Sequence, residues 1–286
     1  MRILFFFLII FVFQCNHLKS SKKNNDRDLF ILAGLYTSSC TSSDLNRAQA
    51  NRSFQTGFES ASDFSQFYSV PENYQNAATH GYTGELFRSG SGSHKATVFA
   101  RGPDCIFPIN CNHRGYPTIQ LHKTSQGGFS GTVFTEFYVY LNMTVADKQW
   151  FSFATFSADK SDAWNRVVLV NLGNLNTGTQ NFMHLMHVPN QGLSDWTYQT
   201  STKTSTSTQF PTSSQWVKIS VCLNFHPSTG FAKVWQNDVL VSEAQVRGGC
   251  NILQQAHFGL YAIQTITGGT VYNDDLKIQE VATCPK

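Results

Sequence analysis

Apolar and polar residues alternate with a period of two along most of this 286-residue chain. No long segment carries the 3.6-residue period of an amphipathic helix. Successive side chains of an extended strand point to opposite faces, so the pattern demands sheets with one face buried. It runs through HKATVFAR (94–101), YPTIQLH (116–122), FTEFYVYLN (134–142), WFSFATF (150–156) and RVVLVNL (166–172). It continues in FMHLMHV (182–188), WVKISVCLNF (216–225), FAKVWQN (231–237), HFGLYAI (257–263) and TVYNDDLKI (270–278). Gly127-Gly128, Asn174, Pro189-Asn190, Pro227 to Gly230, Gly248-Gly249 and Gly268-Gly269 punctuate these segments as turns. Ten strands at this spacing predict an all-β sandwich or barrel. Aromatic residues equal the charged fraction at 14%, which suits pleated, half-buried surfaces. The polar and aromatic stretch 44–80 is expected to contain one short helix.

The N-terminus reads as an address. Arg2 precedes an unbroken apolar run at residues 3–13; a membrane span needs roughly 20 apolar residues, so the run fits a secretory leader better. Cys15 follows directly and is expected to carry a lipid anchor, as in bacterial lipoproteins, although Phe13-Gln14 is bulkier than the small pair favoured there. An ordinary cleaved leader that removes Cys15 is the alternative. The expected organisation is a leader at 1–15, a polar linker at 16–40 and one domain at 41–286. The apolar patch LFILAGLY (29–36) is either a first strand or the mark of a later translational start. The product is expected outside the cytoplasm, as a surface lipoprotein or a secreted protein, with the lipid as its sole membrane contact.

Seven cysteines are present. If Cys15 goes to the leader or a lipid, Cys40, Cys105, Cys111, Cys222, Cys250 and Cys284 form an even set, which in an exported chain points to disulfides. Cys105 and Cys111 flank a short loop and can pair locally. No C-x-x-C or H-x-x-x-H spacing supports zinc instead. The net charge of +3 carries no basic stripe, which excludes nucleic acid as the expected partner. The Ser/Thr-rich segment 200–215 reads as an exposed loop. Asn51-Arg52-Ser53 and Asn142-Met143-Thr144 match the N-glycosylation pattern.

The last third carries a family resemblance. WVKISVCLNFHPSTGFAKVWQNDVLV, then HFGLYA, then TVYNDDLKI resemble the closing strands of concanavalin A-like jelly rolls, the superfamily of laminin G-like modules and many polysaccharide lyases. Asp238 stands where that pattern has a turn glycine. The resemblance spans residues 85–281 and implies a two-sheet antiparallel β-sandwich. In such folds the terminal strands lie side by side, which implies a Cys40–Cys284 bridge and leaves Cys222 with Cys250. The fold hosts lectins, hydrolases, lyases and adhesive modules.

Two sets of candidate site residues follow. In strand 134–142, Phe134, Glu136, Tyr138 and Tyr140 share one face and Thr135, Phe137, Val139 and Leu141 the other. A face of tyrosines with a carboxylate suits sugar binding, since sugar C–H faces stack on rings; a solvent-exposed outer face is the equal alternative. Gln120-Leu121-His122 is similar to the Q-[IV]-H motif of jelly-roll alginate lyases, and Gly259-Leu260-Tyr261 to the G-V-Y around their catalytic tyrosine. The resemblance implies Gln120 at the uronate carboxylate, His122 as base and Tyr261 as acid, with Arg114, Lys218 and His257 as further substrate contacts. His257 replaces the family's lysine, and no R-T-E-L-R strand is present. Hydrolysis is the poorer enzyme reading, because Glu136 has no acidic neighbour on a same-facing strand. His184 and His187 should face opposite sides and act structurally. Neighbouring Asp274 and Asp275 should point apart; they hold a loop or contribute to a structural calcium site. The expected function is a carbohydrate-binding jelly roll that can act as a polysaccharide lyase; the alternative is a non-catalytic surface adhesin.

Overall fold

The computed structural model describes residues 40–66, 68–69, 77–103, 111–160, 164–173, 182–189, 197–199, 209–211 and 215–285. The leader with Cys15, the 29–36 patch, Cys105 and most of the 200–215 run lie outside these residues.

Two antiparallel sheets form a sandwich. Sheet I runs, edge to edge, Val239–Gln245, Phe231–Gln236, Val217–Asn224, Val133–Asn142, Gly269–Glu280, Ser93–Val98 and Ala78–Thr83, and Ser53–Thr56 pairs with the end of Gly269–Glu280. Sheet II runs Thr197–Gln199, Met183–Val188, Val167–Leu172, Phe151–Ser157, Gln255–Ala262, Pro117–Ile119 and Tyr68–Ser69, and His113–Gly115 also pairs with Gln255–Ala262. Neighbours in each sheet are mostly distant in sequence, as in a jelly roll. Among the described residues, helix is confined to a single turn, Ser42–Leu45, capped by the Thr41 hydroxyl, and to the short 3-10 segments Ala61–Gln66 and Leu121–Lys123.

Alternation places the core as expected. Phe137, Val139, Leu141, Ile219, Val221 and Val271 of sheet I meet Phe153, Phe156, Val168, Val170, Leu185, Phe258 and Leu260 of sheet II in one buried cluster. The Phe258 ring packs edge-on against Phe137 at 5.1 Å and Phe156 at 5.7 Å, and each such buried ring is worth about 1.5–3 kcal/mol in transfer alone. The Asn237-Asp238 hairpin turn has both residues in the left-handed region, at φ 47° and 70°, as a two-residue type I′ turn requires. An Asn-Asp pair therefore does the work of the usual glycine.

The cysteine pairing differs from expectation. Cys40 is bonded to Cys250 and Cys222 to Cys284; Cys111 is disulfide-bonded and its expected partner Cys105 lies outside the described residues. The C-terminal strand lies beside Val133–Asn142, which in turn pairs with the Cys222 strand. That order carries Cys284 to Cys222, with Phe134 and Trp235 packed around the bridge. Residues 50–52 are also held by Glu280, whose buried carboxylate accepts the N–H groups of Ala50, Arg52 and Ser130 and the Arg52 guanidinium at 2.6 Å.

The predicted strand 116–122 ends early. It is extended only over Pro117–Ile119, and Leu121–Lys123 turn into a 3-10 helix, which breaks the two-residue period that placed Gln120 and His122 on one face. Asp274 and Asp275 also depart from simple alternation. A bulge with Asp275 at φ 50° lets both carboxylates grip the same loop. Asp274 accepts Arg88 N–H at 2.7 Å and Ser89 N–H at 3.2 Å, while Asp275 accepts the Ser89 hydroxyl at 2.6 Å and the Arg88 guanidinium at 2.5 Å.

Candidate functional site

The outward face of sheet II gathers the chemistry. Strand register places His184, Asn171, Ser152, Tyr261 and Arg114 side by side across five adjacent strands. Alongside runs a second row, Met186, Leu169, Thr155, His257 and Thr118. Cross-strand partners of an antiparallel ladder share a face, so both rows point away from the core.

Tyr261 shares the outward face of His257 by regular alternation, since Ala256, Phe258, Leu260 and Ala262 all turn inward. Between Phe258 and Tyr261 the register shifts against Phe151–Ser157, and Gly259 there has φ +136°. A Cβ on Gly259 would stand 2.6 Å from Gly115 O and 2.7 Å from His94 Cε1, so glycine is required. The Tyr261 hydroxyl accepts the Asn112 side-chain N–H at 3.4 Å, the Arg114 guanidinium lies 5.4 Å from its ring centre and Trp150 abuts it at 5.0 Å. His257 stacks flat on Tyr116 at 3.7 Å and meets Trp164 at 5.0 Å and Tyr261 at 6.0 Å, both edge-on. Only 3% of His257 is exposed, and burial, then the positive charge of Arg114, keep its imidazole neutral far below the ordinary histidine range. Burial likewise pushes His184 down to about 4. Asn171 Oδ1 and Thr155 Oγ1 are buried on this face without a hydrogen-bond partner among the described residues.

The other candidates lie elsewhere. His122 contacts Gln254 O through Nδ1 at 3.1 Å, and Gln254 precedes Tyr261 by seven positions, about 20 Å at roughly 3.3 Å per residue. The structure thus brings Tyr261, His257 and Arg114 together but leaves Gln120 and His122 at the far end of the strand. Glu136, Tyr138, Tyr140 and Lys218 point outward from sheet I, on the opposite side of the sandwich. Stacked sheets are about 10 Å apart, so this set and Tyr261 cannot contact one sugar unit. Arg88 covers the Tyr138 ring at 3.6 Å, Glu136 accepts the Ser220 hydroxyl at 3.2 Å, and Lys218 pairs with Asp238 at 2.6 Å.

No protein-family model and no curated protein matches the chain by sequence. Among solved structures it is similar to an endo-β-1,4-glucuronan lyase from the fungus Trichoderma reesei, with 13% identity and TM-score 0.53 over 82% of this chain and 96% of that one. It is also similar to the cellulose-induced protein Cip1, with 16% identity and TM-score 0.54 over 80% of this chain and 97% of that one. The chain has a two-sheet jelly-roll fold. At these identities the likeness establishes the fold.

The expected parity of the G-L-Y strand holds: His257 and Tyr261 face out while Phe258 and Leu260 face in. His184 and His187 do face opposite sides. His187 ties Val167 O at 2.9 Å to the Arg247 N–H at 2.8 Å, a structural role, whereas His184 joins the site row. Sequence reasoning missed Asn171, Tyr116, Trp150 and Trp164. The outward parity of Asn171 in RVVLVNL was visible, but its neighbours come from strands far away in sequence.

Proposed function

We infer that the chain is a carbohydrate-active protein that binds uronate-containing polysaccharide on the outward face of sheet II and cleaves it by β-elimination. The observation that carries this reading is the Tyr261 hydroxyl, held by Asn112 and flanked by Arg114 and the neutral His257 on an aromatic face. Arg114 meets the uronate carboxylate and offsets the charge that develops as the adjacent C5 proton leaves. His257, 3% exposed beneath Tyr116 and kept neutral by burial, packs edge-on against Tyr261 and positions it, while Tyr261, reacting as the phenolate, takes the C5 proton. Tyr261 then donates that proton to the departing O4 as the C4–O bond breaks and the C4=C5 bond forms. These roles replace the Gln120 and His122 of the resemblance with groups that share a face. Two disulfides among the described residues support folding in an oxidising, extracytoplasmic compartment. The leader and Cys15 lipidation remain part of the same proposal, checked by the mass of the mature N-terminus.

The test is absorbance near 235 nm, roughly where a conjugated enoate formed by such proton abstraction absorbs, over polyglucuronate, alginate and polygalacturonate. The wild type should generate signal on at least one, and Tyr261→Phe should lose about 100-fold or more in rate. No signal on any uronate polymer sinks the elimination chemistry. A second reading, non-catalytic binding, draws on the flat Tyr116 ring that shields His257. Under it, uronate oligosaccharides bind without any rise in absorbance.

A further inference from the structure

The outward face of sheet I carries a second constellation that the proposed elimination does not use. Register sets Tyr140 opposite Tyr272 and Tyr272 opposite Lys95, and Trp216 stands one step before Val217, the partner of Val139. Trp216 and Tyr272 flank Tyr140 edge-on at 5.8 Å and 6.1 Å. All three rings are partly solvent-exposed. They form an aromatic shelf across three strands that faces away from the core and from Tyr261.

Two residues along the same strands lies a hollow of about 670 Å³, lined by Asn142, Thr144, Gln149, Thr267, Gly268 and Gly269 among others. Asn142, in the wall of the hollow, follows Tyr140 by two residues on the same face, about 7 Å away at roughly 3.3 Å per residue. The hollow has the size of a small-ligand site, about 300–1,000 Å³, and exposed Asn142, Thr144 and Thr267 offer amide and hydroxyl groups.

The charges around the shelf are matched. Lys95 pairs with Glu85 at 2.5 Å, Lys218 with Asp238 at 2.6 Å and Arg88 with Asp275 at 2.5 Å. Lys277 stands opposite Glu136 and Lys233 opposite Glu243. This balance contrasts with Arg114 on the other face and leaves no net field to draw an acidic chain. Rings for sugar C–H faces, polar groups for hydroxyls and balanced charge describe a site for an uncharged oligosaccharide.

We propose that the Trp216–Tyr140–Tyr272 shelf and the adjoining Asn142 hollow bind a neutral oligosaccharide, back to back with the Tyr261 face and independent of it. The protein then holds an uncharged glycan on one side of the sandwich while its other side engages a uronate chain.

The test is calorimetric titration of the full chain with cellohexaose, xylohexaose and mannohexaose. At least one should bind, Trp216→Ala should weaken it at least 10-fold, Trp216→Phe should keep most of it, and Tyr261→Ala should leave it unchanged. Tyr272→Ala gives the same loss and serves where Trp216→Ala does not fold. The proposal is overturned if none of the three hexaoses binds, or if binding is lost with Tyr261→Ala, or if it survives both shelf substitutions in folded protein. Elimination at 235 nm is read on the same variants. Trp216→Ala leaves it intact, so failure of the shelf and failure of the Tyr261 chemistry are separately visible.

Discussion

The two outward faces of this sandwich were built by the same alternation and do opposite things with polar groups. On sheet I every cation beside the tyrosines has a carboxylate at hand, and one buried acid, Asp274, clamps a loop down over Tyr138. On sheet II the imidazoles are buried and neutral, two polar atoms on Asn171 and Thr155 have no protein partner among the described residues, and Arg114 leans on a half-buried tyrosine ring. A face whose charges pair with one another carries no net field, which suits an uncharged ligand. Buried polar groups left over cost about 1–3 kcal/mol each, a cost that a ligand can offset. The difference teaches that outward parity identifies a surface, while the bookkeeping of hydrogen bonds and charge identifies the site.

The comparison can be broken most forcefully at the Cys222–Cys284 bridge, which sits on the outward face of sheet I. Replacing both cysteines by alanine opens a closure of 62 residues and should cost about 4 kcal/mol on the chain-entropy model. Urea unfolding should show that loss while the elimination rate of the remaining folded protein is unchanged. A fall in rate per folded molecule would mean that the faces are coupled.

Gly259→Ala attacks the other side. A Cβ 2.6 Å from Gly115 O at a backbone conformation foreign to alanine should cost about 3 kcal/mol. It should also displace Tyr261, so uronate cleavage falls with neutral-glycan binding preserved. Equal losses at both faces would show general unfolding instead.

The smallest effect is in pH. His184 titrates near 4 in the folded protein, below the unfolded value of about 6.5. Its stability contribution is therefore full above about 6.5 and lost as pH falls toward 4. Asp274 is raised by burial to about 6. Its contribution has the reverse sign: present below about 3.9, the unfolded value, and lost as pH rises through 6. Across pH 4–6 the two oppose each other. Unfolding midpoints should therefore fall more steeply on acidification in Asp274→Asn than in wild type, and less steeply in His184→Gln. Parallel profiles would dismiss both assignments.

Much of the fold was legible because one-sided burial leaves a two-residue signature. The strands around Phe137, Val170, Ile219 and Phe258 stand where alternation put them. The strand 116–122 misled, because Gln120 and His122 continue the pattern in letters while the backbone turns at Leu121. The disulfide pairing misled for a different reason: which cysteines meet depends on sheet order, which the spacing of Cys222, Cys250 and Cys284 does not encode. Asn171 and His184 escaped notice as a pair because they approach across a hairpin whose register no local rule specified.

The amino-acid sequence by itself determined the alternating strands and the outward parity of Tyr261 and His257, since these rest on the geometry of neighbouring residues. The tertiary structure alone decided which outward residues share a face and which carboxylate meets which cation. It also decided that Tyr138 and Tyr261 stand on opposite sides of the core. Those outcomes arise from pairing strands far apart in the chain, where burial and hydrogen-bond satisfaction select one sheet order from many that the same alternation would allow.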